Sequence, residues 1–437
     1  MVRTRRACAG AVLLGLLGAC SSEEGRQRLA LEELGWRADG VVLPEPELEA
    51  ELAAGVDPAR VGAAVVRKNP DALAALERWV ARLERAPQVR SLPDPWLRYR
   101  YSSMFAMHTV ELMQEVPWPE KLLADARAAL AEARVAEAEA ARVHDLLRER
   151  AVSAAAGLFV ARRALELLEQ NLAELERFVA VARARYEAGT AQQSDLLRAE
   201  LERDGMRVAR EGAARDALLA ASALNALLDR RPDAALGPVA LTLPPAPGAL
   251  AELLQRAQAS SPELSVSRAR LEYEREMVGH ADLSWLPDLA LGGAYVRDMR
   301  MDEDELELTA GLSLPVWGWK NQAHRREAQA GSRRAEAELR AARSRVLDEV
   351  VQAAGRLDAA LAQERILREQ ALPTAERNVG VTEAAYVAGR VDLLAWIDAN
   401  RQLLAQRLEL ARLQGEAVGA GAALRRAVGE DETGGAR

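Results

Sequence analysis

Three aspartates follow two similar glycine turns and could form a site that attracts cations. The turns read Tyr186-Glu187-Ala188-Gly189 and Tyr386-Val387-Ala388-Gly389. Asp195 follows the first turn, and Asp392 and Asp398 follow the second. Carboxylates that symmetric copies of a chain bring to one narrow aperture attract cations and repel anions. The alternative is a structural role near a helix start, where carboxylates complement the helix dipole, and for Asp392 both interpretations stay open.

The side chains that most often carry catalysis or bind metals form no recognisable pattern. The sequence has no phosphate-binding loop, no nucleophile elbow and no spaced cysteine pair, so an enzyme is not predicted. Met104, Met107 and Met113 lie near one predicted strand pair. They suggest soft-metal handling, although methionine more often serves packing. The histidines are scattered at no metal-ligand spacing: His108, His144, His280 and His324.

The first residues predict export and a lipid anchor. Three arginines precede an apolar stretch from Ala7 to Ala19, which is the order of a secretory signal. The stretch ends in Leu17-Gly18-Ala19-Cys20, which resembles the lipobox of bacterial lipoproteins. Residues 1–19 are therefore predicted to be a signal peptide, and Cys20 the acylated first residue of a tether over residues 20–56. The alternative is an ordinary signal peptide cleaved after Ala19. No cofactor other than this covalent lipid is predicted.

The composition favours long, surface-charged helices. Of 437 residues, 49% are hydrophobic and 28% charged, but only 4% are aromatic, a balance unlike that of a globular enzyme core. The net charge of −8 disfavours nucleic acid as a partner. No apolar run after the signal approaches the roughly 18 residues of a membrane helix, so strands would have to make any membrane crossing.

The chain is an internal duplication. Asn69-Pro70-Asp71 matches Ser261-Pro262-Glu263, Val116-Pro117-Trp118 matches Leu314-Pro315-Val316-Trp317, and the two glycine turns match each other, at offsets of 192, 198 and 200 residues. Repeats at a steady offset indicate a repeated structural unit. The predicted organisation is listed in order: first repeat 57–230, proline-rich linker 231–248, second repeat 249–428 and disordered tail 429–437.

Each repeat is predicted to contain a long antiparallel helical hairpin. The stretch from Lys121 to Arg185 has no proline, and about 65 residues at 1.5 Å each give a helix roughly 97 Å long. Lys320 to Leu372 is equally uninterrupted, and Pro373 is expected to kink its helix rather than end it. In the first repeat, apolar residues three and four apart form a coiled-coil seam: Leu165, Leu168, Leu172, Leu175, Val179, Ala182 and Tyr186. In the second repeat, apolar residues recur every seven positions on the returning helix: Trp396, Leu403, Leu410 and Ala417.

Each repeat also offers two amphipathic strands. Apolar and polar residues alternate from Leu306 to Leu314, which pairs with Leu289 to Val296 across an acidic loop from Asp302 to Glu305. The first repeat alternates likewise around Tyr99 and Val110. A soluble sheet with one wet face would show the same pattern. However, four strands cannot close a membrane barrel, whose smallest size is eight, so several subunits would share one. Tryptophans near the strand ends suit an interfacial belt: Trp96, Trp118, Trp317 and Trp319.

Together these residues resemble the TolC-like outer membrane efflux family. The most specific matches are Val116-Pro117-Trp118-Pro119-Glu120-Lys121, Leu314-Pro315-Val316-Trp317-Gly318-Trp319-Lys320 and the two glycine turns. The resemblance implies a mainly α fold with a small β part. Three copies would form an α-barrel tunnel of helical hairpins in the periplasm and a shared twelve-stranded membrane β-barrel in the outer membrane.

The resemblance also implies roles for the turns. Gly189, Thr190, Gly389 and Arg390 would meet a periplasmic adaptor protein, which works with an inner-membrane pump. In the family, aspartates six residues beyond the first turn glycine, and six and nine beyond the second, ring the pore constriction. Asp195 and Asp398 fit, whereas Ala395 stands at the remaining position and Asp392 is the possible substitute.

Three functions therefore stay in view. The first is efflux of small solutes, drugs or metal ions, and the Pro-Trp-Pro-x-Lys junction resembles the heavy-metal branch of the family. The second is a type I protein-secretion channel. The third is a lipid-anchored periplasmic coiled-coil protein without a pore.

Overall fold

The computed structural model describes residues 24–30, 49 and 52–430. Cys20, the signal peptide and residues 431–437 lie outside the described residues. Residues 24–30 are helical. The further helices are α1 Pro58–Lys68, α2 Pro70–Leu83, α3 Arg85–Arg90, α4 Pro119–Glu187, α5 Gln193–Leu227, α6 Leu250–Ser260, α7 Pro262–Asp282, α8 Gly318–Ile366, α9 Leu372–Val387 and α10 Leu393–Val428, and the strands are β1 Trp96–Ser102, β2 Met107–Val116, β3 Leu289–Asp298 and β4 Glu303–Leu312.

The long helices are confirmed. α4 runs unbroken for 69 residues and α8 for 49. A π-helical turn over Leu367–Ala371 joins α8 to α9, and Pro373 occupies the first turn of α9. Proline has no N–H to donate to the preceding turn, and the wider π turn before it lets the helix continue. Within the described residues, no helix combines the length and the apolar character that crossing a membrane requires.

The four strands form one antiparallel sheet in the order β1-β2-β3-β4. The acidic residues Glu303, Asp304 and Glu305 belong to β4, where they pair with Asp298, Arg297 and Val296. The prediction of an acidic loop through Glu305 is therefore wrong. Arg297 explains the longer pairing, because its guanidinium contacts Asp304 at 2.8 Å and also bonds Asp302.

The described chain divides into two compact units, and each draws on both repeats. The first unit holds the sheet and a core around Trp79, which is 1% exposed. The second holds both glycine turns and two apolar clusters around Leu158 and Trp396. The first unit comprises residues 24–30, Ala74–Ala141 and Glu263–Arg343, and the second residues 49, 52–73, Arg142–Pro262 and 344–430.

The proline-rich linker is packed within the second unit rather than extended. Val56 forms a parallel β-bridge with Val239, and Arg162 donates hydrogen bonds to the carbonyls of Leu236 and Gly237. Gly237 is required there, because a Cβ at this position would lie 2.6 Å from the Gly55 nitrogen. The linker thereby ties the residues before α1 to the helices.

The hairpin seams are confirmed except at one residue. Leu168, Leu175, Val179 and Ala182 are buried in the first repeat, and so are Trp396, Leu403 and Ala417 in the second. Tyr186, predicted to end the first seam, is 42% exposed, whereas its repeat counterpart Tyr386 is 4% exposed. Side chains of the first repeat, Phe178 and Arg185, lie against the Tyr386 ring and cover it.

Candidate functional site

The two glycine turns have the same backbone geometry. Gly189 and Gly389 have φ values of 72° and 70°, in the left-handed region that glycine enters without a Cβ penalty. In the first turn the Thr190 N–H donates to the Arg185 carbonyl and the Gly189 N–H to the Tyr186 carbonyl. The second turn repeats this bonding with Arg390 and Gly389 as donors. Both are Schellman motifs, which satisfy the last carbonyls of the helix before the turn.

The first turn carries an additional side-chain bond that the second turn does not repeat. The Thr190 hydroxyl donates to the Arg185 carbonyl at 3.1 Å. Arg390, at the matching position, is exposed. Its guanidinium forms no hydrogen bond or ion pair within the described part of the chain. The charge of Arg390 is therefore available at the surface of the second turn.

The three predicted aspartates occupy different helix positions. Asp392 caps α10, where its carboxylate accepts a hydrogen bond from the Ala395 N–H at 3.1 Å. Asp195 lies in the first turn of α5 and is half-buried. Asp398 lies further along α10 and is exposed. Asp392 thus has the structural role that the sequence left open for it.

Asp398 belongs to a small charged group that joins the two repeats. Arg401 binds the Glu202 carboxylate through both Nε, at 2.8 Å, and a terminal nitrogen. The hydrogen bond that Arg401 donates to Glu202, with the negative charge of Asp398, raises the pKa of Arg401 although burial acts against it. Arg401 therefore offsets part of the negative charge of Asp398.

Arg185 connects the ends of two helices from different repeats. Its guanidinium donates to the Tyr386 carbonyl at 3.1 Å and to the Val387 carbonyl at 3.0 Å, and its Cζ lies 4.8 Å from the Tyr386 ring centroid. These carbonyls end α9, where a cation complements the helix dipole. Sequence reasoning missed this residue. The one available sign was that Ala385 replaces arginine at the matching position of the second repeat.

An aromatic stack supports the same region. The Phe178 ring lies 3.4 Å from the Trp396 ring, centroid to centroid, and 6.2 Å from the Tyr386 ring. Phe178 belongs to the first repeat and the other two residues to the second. Tyr386 is buried by this stack and by Arg185, whereas Tyr186 has no equivalent neighbours among the residues of this stack.

Each hairpin is crossed by the same ion pair. Arg207 contacts Glu176 at 2.9 Å in the first repeat, and Arg407 contacts Glu376 at 3.1 Å in the second. The members of each pair lie on opposite helices of a hairpin. The 200-residue offset predicted from the glycine turns therefore also holds for this tertiary contact.

One face of the sheet is apolar and exposed. The strand register places Leu97, Leu112 and Leu308 in one row and Tyr99, Tyr295 and Leu306 in the next. Leu308 is 84% exposed and Leu97 72%. Such a face in a monomer indicates contact with a partner or a membrane. β1 and β4 each keep one edge that pairs with no strand among the described residues.

The opposite face is polar. Arg98 contacts Glu111 at 3.4 Å, and Glu305 and Glu307 continue this face on β4. Trp96 lies on the polar face too, in a pocket with Arg98 and Glu111. Trp96 therefore lies on the face opposite Leu97 and Leu112, and its place in an interfacial belt stays a prediction. Trp317 and Trp319, after β4, are exposed, with ring centroids 4.9 Å apart.

Comparisons with known proteins agree with this architecture. Residues 253–430 match the family model of the outer membrane efflux protein. The cobalt-zinc-cadmium resistance protein CzcC of Cupriavidus metallidurans is 27% identical over 190 residues, which are 44% of each chain. The match therefore spans less than half the length of that curated relative.

Solved structures extend the likeness of fold to most of the chain. The outer-membrane channel OprN superimposes with a TM-score of 0.73 at 19% identity, over 86% of this chain and 90% of OprN. CusC gives a TM-score of 0.73 at 15% identity, over 85% and 92%. These identities establish the fold alone. With the match over residues 253–430, they show that the second repeat is similar to the outer membrane efflux protein family and that the described chain has the fold of the solved outer-membrane channels.

Proposed function

We propose that this protein is the outer-membrane channel of a tripartite efflux system, which conducts small solutes passively from the periplasm to the exterior. The observation that carries the proposal is the four-stranded sheet, with one exposed apolar face, one charged face and two free edges. Lipid tolerates no open sheet edge, because unpaired backbone groups cannot bond water there.

Three copies would close the sheet into a twelve-stranded barrel. Four strands fall short of the smallest membrane barrel, which needs eight. In the closed barrel, Leu308 and Tyr99 would face lipid, and Arg98, Glu111 and Glu307 would line the lumen. The helical hairpins would continue the channel as a periplasmic tunnel.

The glycine turns are the proposed contact with the adaptor protein. Gly189-Thr190 and Gly389-Arg390 end two hairpins, and the charge of Arg390, which is exposed and unpaired among the described residues, is available to a partner. Asp195 and Asp398 are proposed to ring the constriction, with Asp392 supporting the start of α10. Energy would come from the inner-membrane pump, since neither repeat carries a nucleotide-binding motif.

Cys20 is proposed to carry acyl chains that anchor each subunit to the outer membrane. A multiply acylated anchor holds a protein far more firmly than a single chain does. The lipobox-like Leu17-Gly18-Ala19-Cys20 supports this assignment. Replacement of Cys20 by serine should remove the lipid mass from the purified protein.

Divalent metal ions are the proposed cargo class. The support is the similarity to a cobalt-zinc-cadmium resistance protein and the acidic residues on the lumen-facing side of β4. Cells that lack the channel should lose resistance to these metals and regain it with the wild-type gene. Restored resistance to organic drugs alone, or restored protein secretion alone, would reject this cargo.

The channel itself is tested by purification from outer membranes, mass determination and planar-bilayer conductance. Trimers with small, cation-selective currents are expected. The double replacement of Asp195 and Asp398 by alanine should weaken cation selectivity, whereas Glu383→Ala, an exposed acid before the second turn, should not. A monomer that needs no detergent and gives no current would instead identify a coiled-coil scaffold.

A further inference from the structure

The first unit contains a pocket of about 760 Å³ that the channel function does not use. It is formed by the end of α7, the segment after β4 and the start of α8. Its polar and charged lining residues include Lys121, His280, Asp288, Lys320, Asn321, His324 and Glu327. Its apolar lining residues are Leu283, Leu286, Leu314, Pro315, Trp317 and Ala323.

Lysine is concentrated at this pocket. Of 58 basic residues, all but Lys68, Lys121 and Lys320 are arginine, and two of these three lysines line the pocket. Both follow a tryptophan-containing junction after a strand, one in each repeat. Lysine presents a compact charge on a flexible stem, which suits a phosphate group near a membrane surface.

The two lysines differ in their contacts. Lys121 is neutralised by Asp288, whose oxygens lie 2.9 Å from the ammonium, and Asp288 also accepts the Trp118 N–H at 3.1 Å. Lys320 is exposed, and its ammonium group forms no hydrogen bond or ion pair within the described residues. Its charge is therefore available to a ligand.

Two buried nitrogens of pocket residues also have no acceptor in the part of the chain that the structure describes. Asn321 is 7% exposed, and its Nδ2 has no hydrogen-bond partner among the described residues. Nδ1 of His280 likewise has no hydrogen-bond partner among the described residues. The Nε2 of His280 lies 2.8 Å from Asp125. The hydrogen bond with Asp125 raises the pKa of His280, with burial opposing, which favours the form that donates through both nitrogens. Buried donors without acceptors are costly, and the oxygens of an anionic ligand in the pocket would offer acceptors to both residues.

The pocket also offers a place for a cation and for an apolar chain. Glu327 is exposed, two turns beyond Lys320 on α8, and forms no ion pair within the described part of the chain. Leu314 and Trp317 are 67% and 58% exposed, and they follow β4, whose Leu312 belongs to the apolar face of the sheet. Donors, a free carboxylate and an apolar path thus meet at one end of the strands.

We infer that this pocket binds the headgroup of a zwitterionic phospholipid, with the phosphate held by Lys320 and Asn321, the amine near Glu327, and the acyl chains along the apolar face of the sheet. The inference rests on the proposed function in one respect, because it takes the strands to lie in the membrane. Basic pockets beside membrane-spanning elements bind lipid headgroups in the same way.

Native mass spectrometry of the detergent-purified full-length protein with added phosphatidylethanolamine tests the inference. The wild type and Lys68→Gln, which removes a lysine that does not line the pocket, should each retain one lipid per chain. Lys320→Gln combined with Asn321→Leu should bind about tenfold more weakly, because it removes a charged and a neutral donor. Equal retention by the double variant would overturn the inference.

The headgroup is tested by a milder change that leaves the donors intact. Glu327→Gln should abolish the preference for phosphatidylethanolamine over phosphatidylglycerol while the protein still binds both. Inorganic phosphate should not displace the lipid at equal concentration. If it does, the pocket is a site for free phosphate and the lipid assignment is wrong.

Conductance of the same samples separates this inference from the channel function. Lipid retained by a protein that gives no current would reject the channel but keep the lipid site. Currents from a wild-type protein that retains no lipid would support the channel and reject the lipid site.

Discussion

The Arg185 guanidinium lies against the Tyr386 ring and donates to the carbonyls at the end of α9. This contact joins the two repeats beside both glycine turns. In the proposed trimer, a movement of the hairpins that widens the tunnel at these turns would break this contact. Arg185 would then favour the closed arrangement of each subunit, together with the Phe178–Trp396 stack.

Arg185→Ala should therefore favour the open channel. The variant loses two charge-assisted hydrogen bonds and a cation–π contact, together worth about 1–2 kcal/mol at a half-buried site, which shifts the ratio of open to closed channels by roughly tenfold. Single-channel recordings measure this ratio. Arg183→Ala is the matched control, because Arg183 pairs with Glu200 inside the first hairpin. An equal effect of both variants would contradict a role for Arg185 between the repeats.

Replacement by alanine should destabilise the protein at a turn glycine and stabilise it at a helical glycine. Gly389→Ala places a Cβ in the left-handed region and should lower the free energy of unfolding by about 1–2 kcal/mol. Gly380 lies within α9, and a Cβ added there would meet no atom within 4 Å outside the neighbouring helix backbone. Gly380→Ala should therefore stabilise the protein by about 0.5–1 kcal/mol. Thermal unfolding followed by circular dichroism compares the two, and a stabilised Gly389→Ala variant would show that the turn does not need its glycine.

The difference between these two glycines could be predicted from the sequence, whereas the role of Arg185 could not. Gly389 ends the same Tyr-x-Ala-Gly pattern as Gly189 and precedes Asp392 and the seam that begins at Trp396, so local pattern alone identifies the turn. Arg185 acts on carbonyls about 200 residues away, and no local pattern encodes that contact. For the same reason Tyr186 and Tyr386 looked equivalent in the sequence but differ in burial.

The strands show a similar limit. Alternation predicted both hairpins, because one face of the sheet is apolar over all four strands. The extension of β4 to Glu303 was missed because four acidic residues in succession, Asp302 to Glu305, resemble a loop. Arg297, on the neighbouring strand, compensates their charge, and only the strand register brings these residues together.

Stability of the first unit should depend on pH through His280. Asp125 raises the pKa of His280 in the folded protein, so protonated His280 stabilises the fold. This contribution is complete below the unfolded pKa, near 6.5, and is lost as the pH rises through the higher folded value. The melting temperature of the wild type should therefore exceed that of His280→Gln by more at pH 5.5 than at pH 8.5.

His108 provides the control for this measurement. It lies on the apolar face of the sheet, with its Nδ1 2.7 Å from the Tyr99 hydroxyl, and contacts no carboxylate among the described residues. The difference in melting temperature between the wild type and His108→Gln should therefore change less between pH 5.5 and pH 8.5 than the difference for His280→Gln. A constant difference between wild type and His280→Gln across this range would mean that the Asp125 contact does not favour the charged imidazole.

The two faces of β4 provide the sharpest test of membrane insertion. Leu308 is 84% exposed on the apolar face, and Thr309, the next residue, points to the opposite face with Trp96 and Met113. Arginine on a lipid-facing strand position costs about 2–4 kcal/mol near the middle of the bilayer, whereas the lumen accepts it. Leu308→Arg should therefore strongly reduce the protein recovered as trimers from outer membranes, and Thr309→Arg should leave that yield near the wild-type value while changing ion selectivity. Equal yields from both variants would mean that the apolar face of the sheet does not contact lipid, and the shared barrel would have to be abandoned.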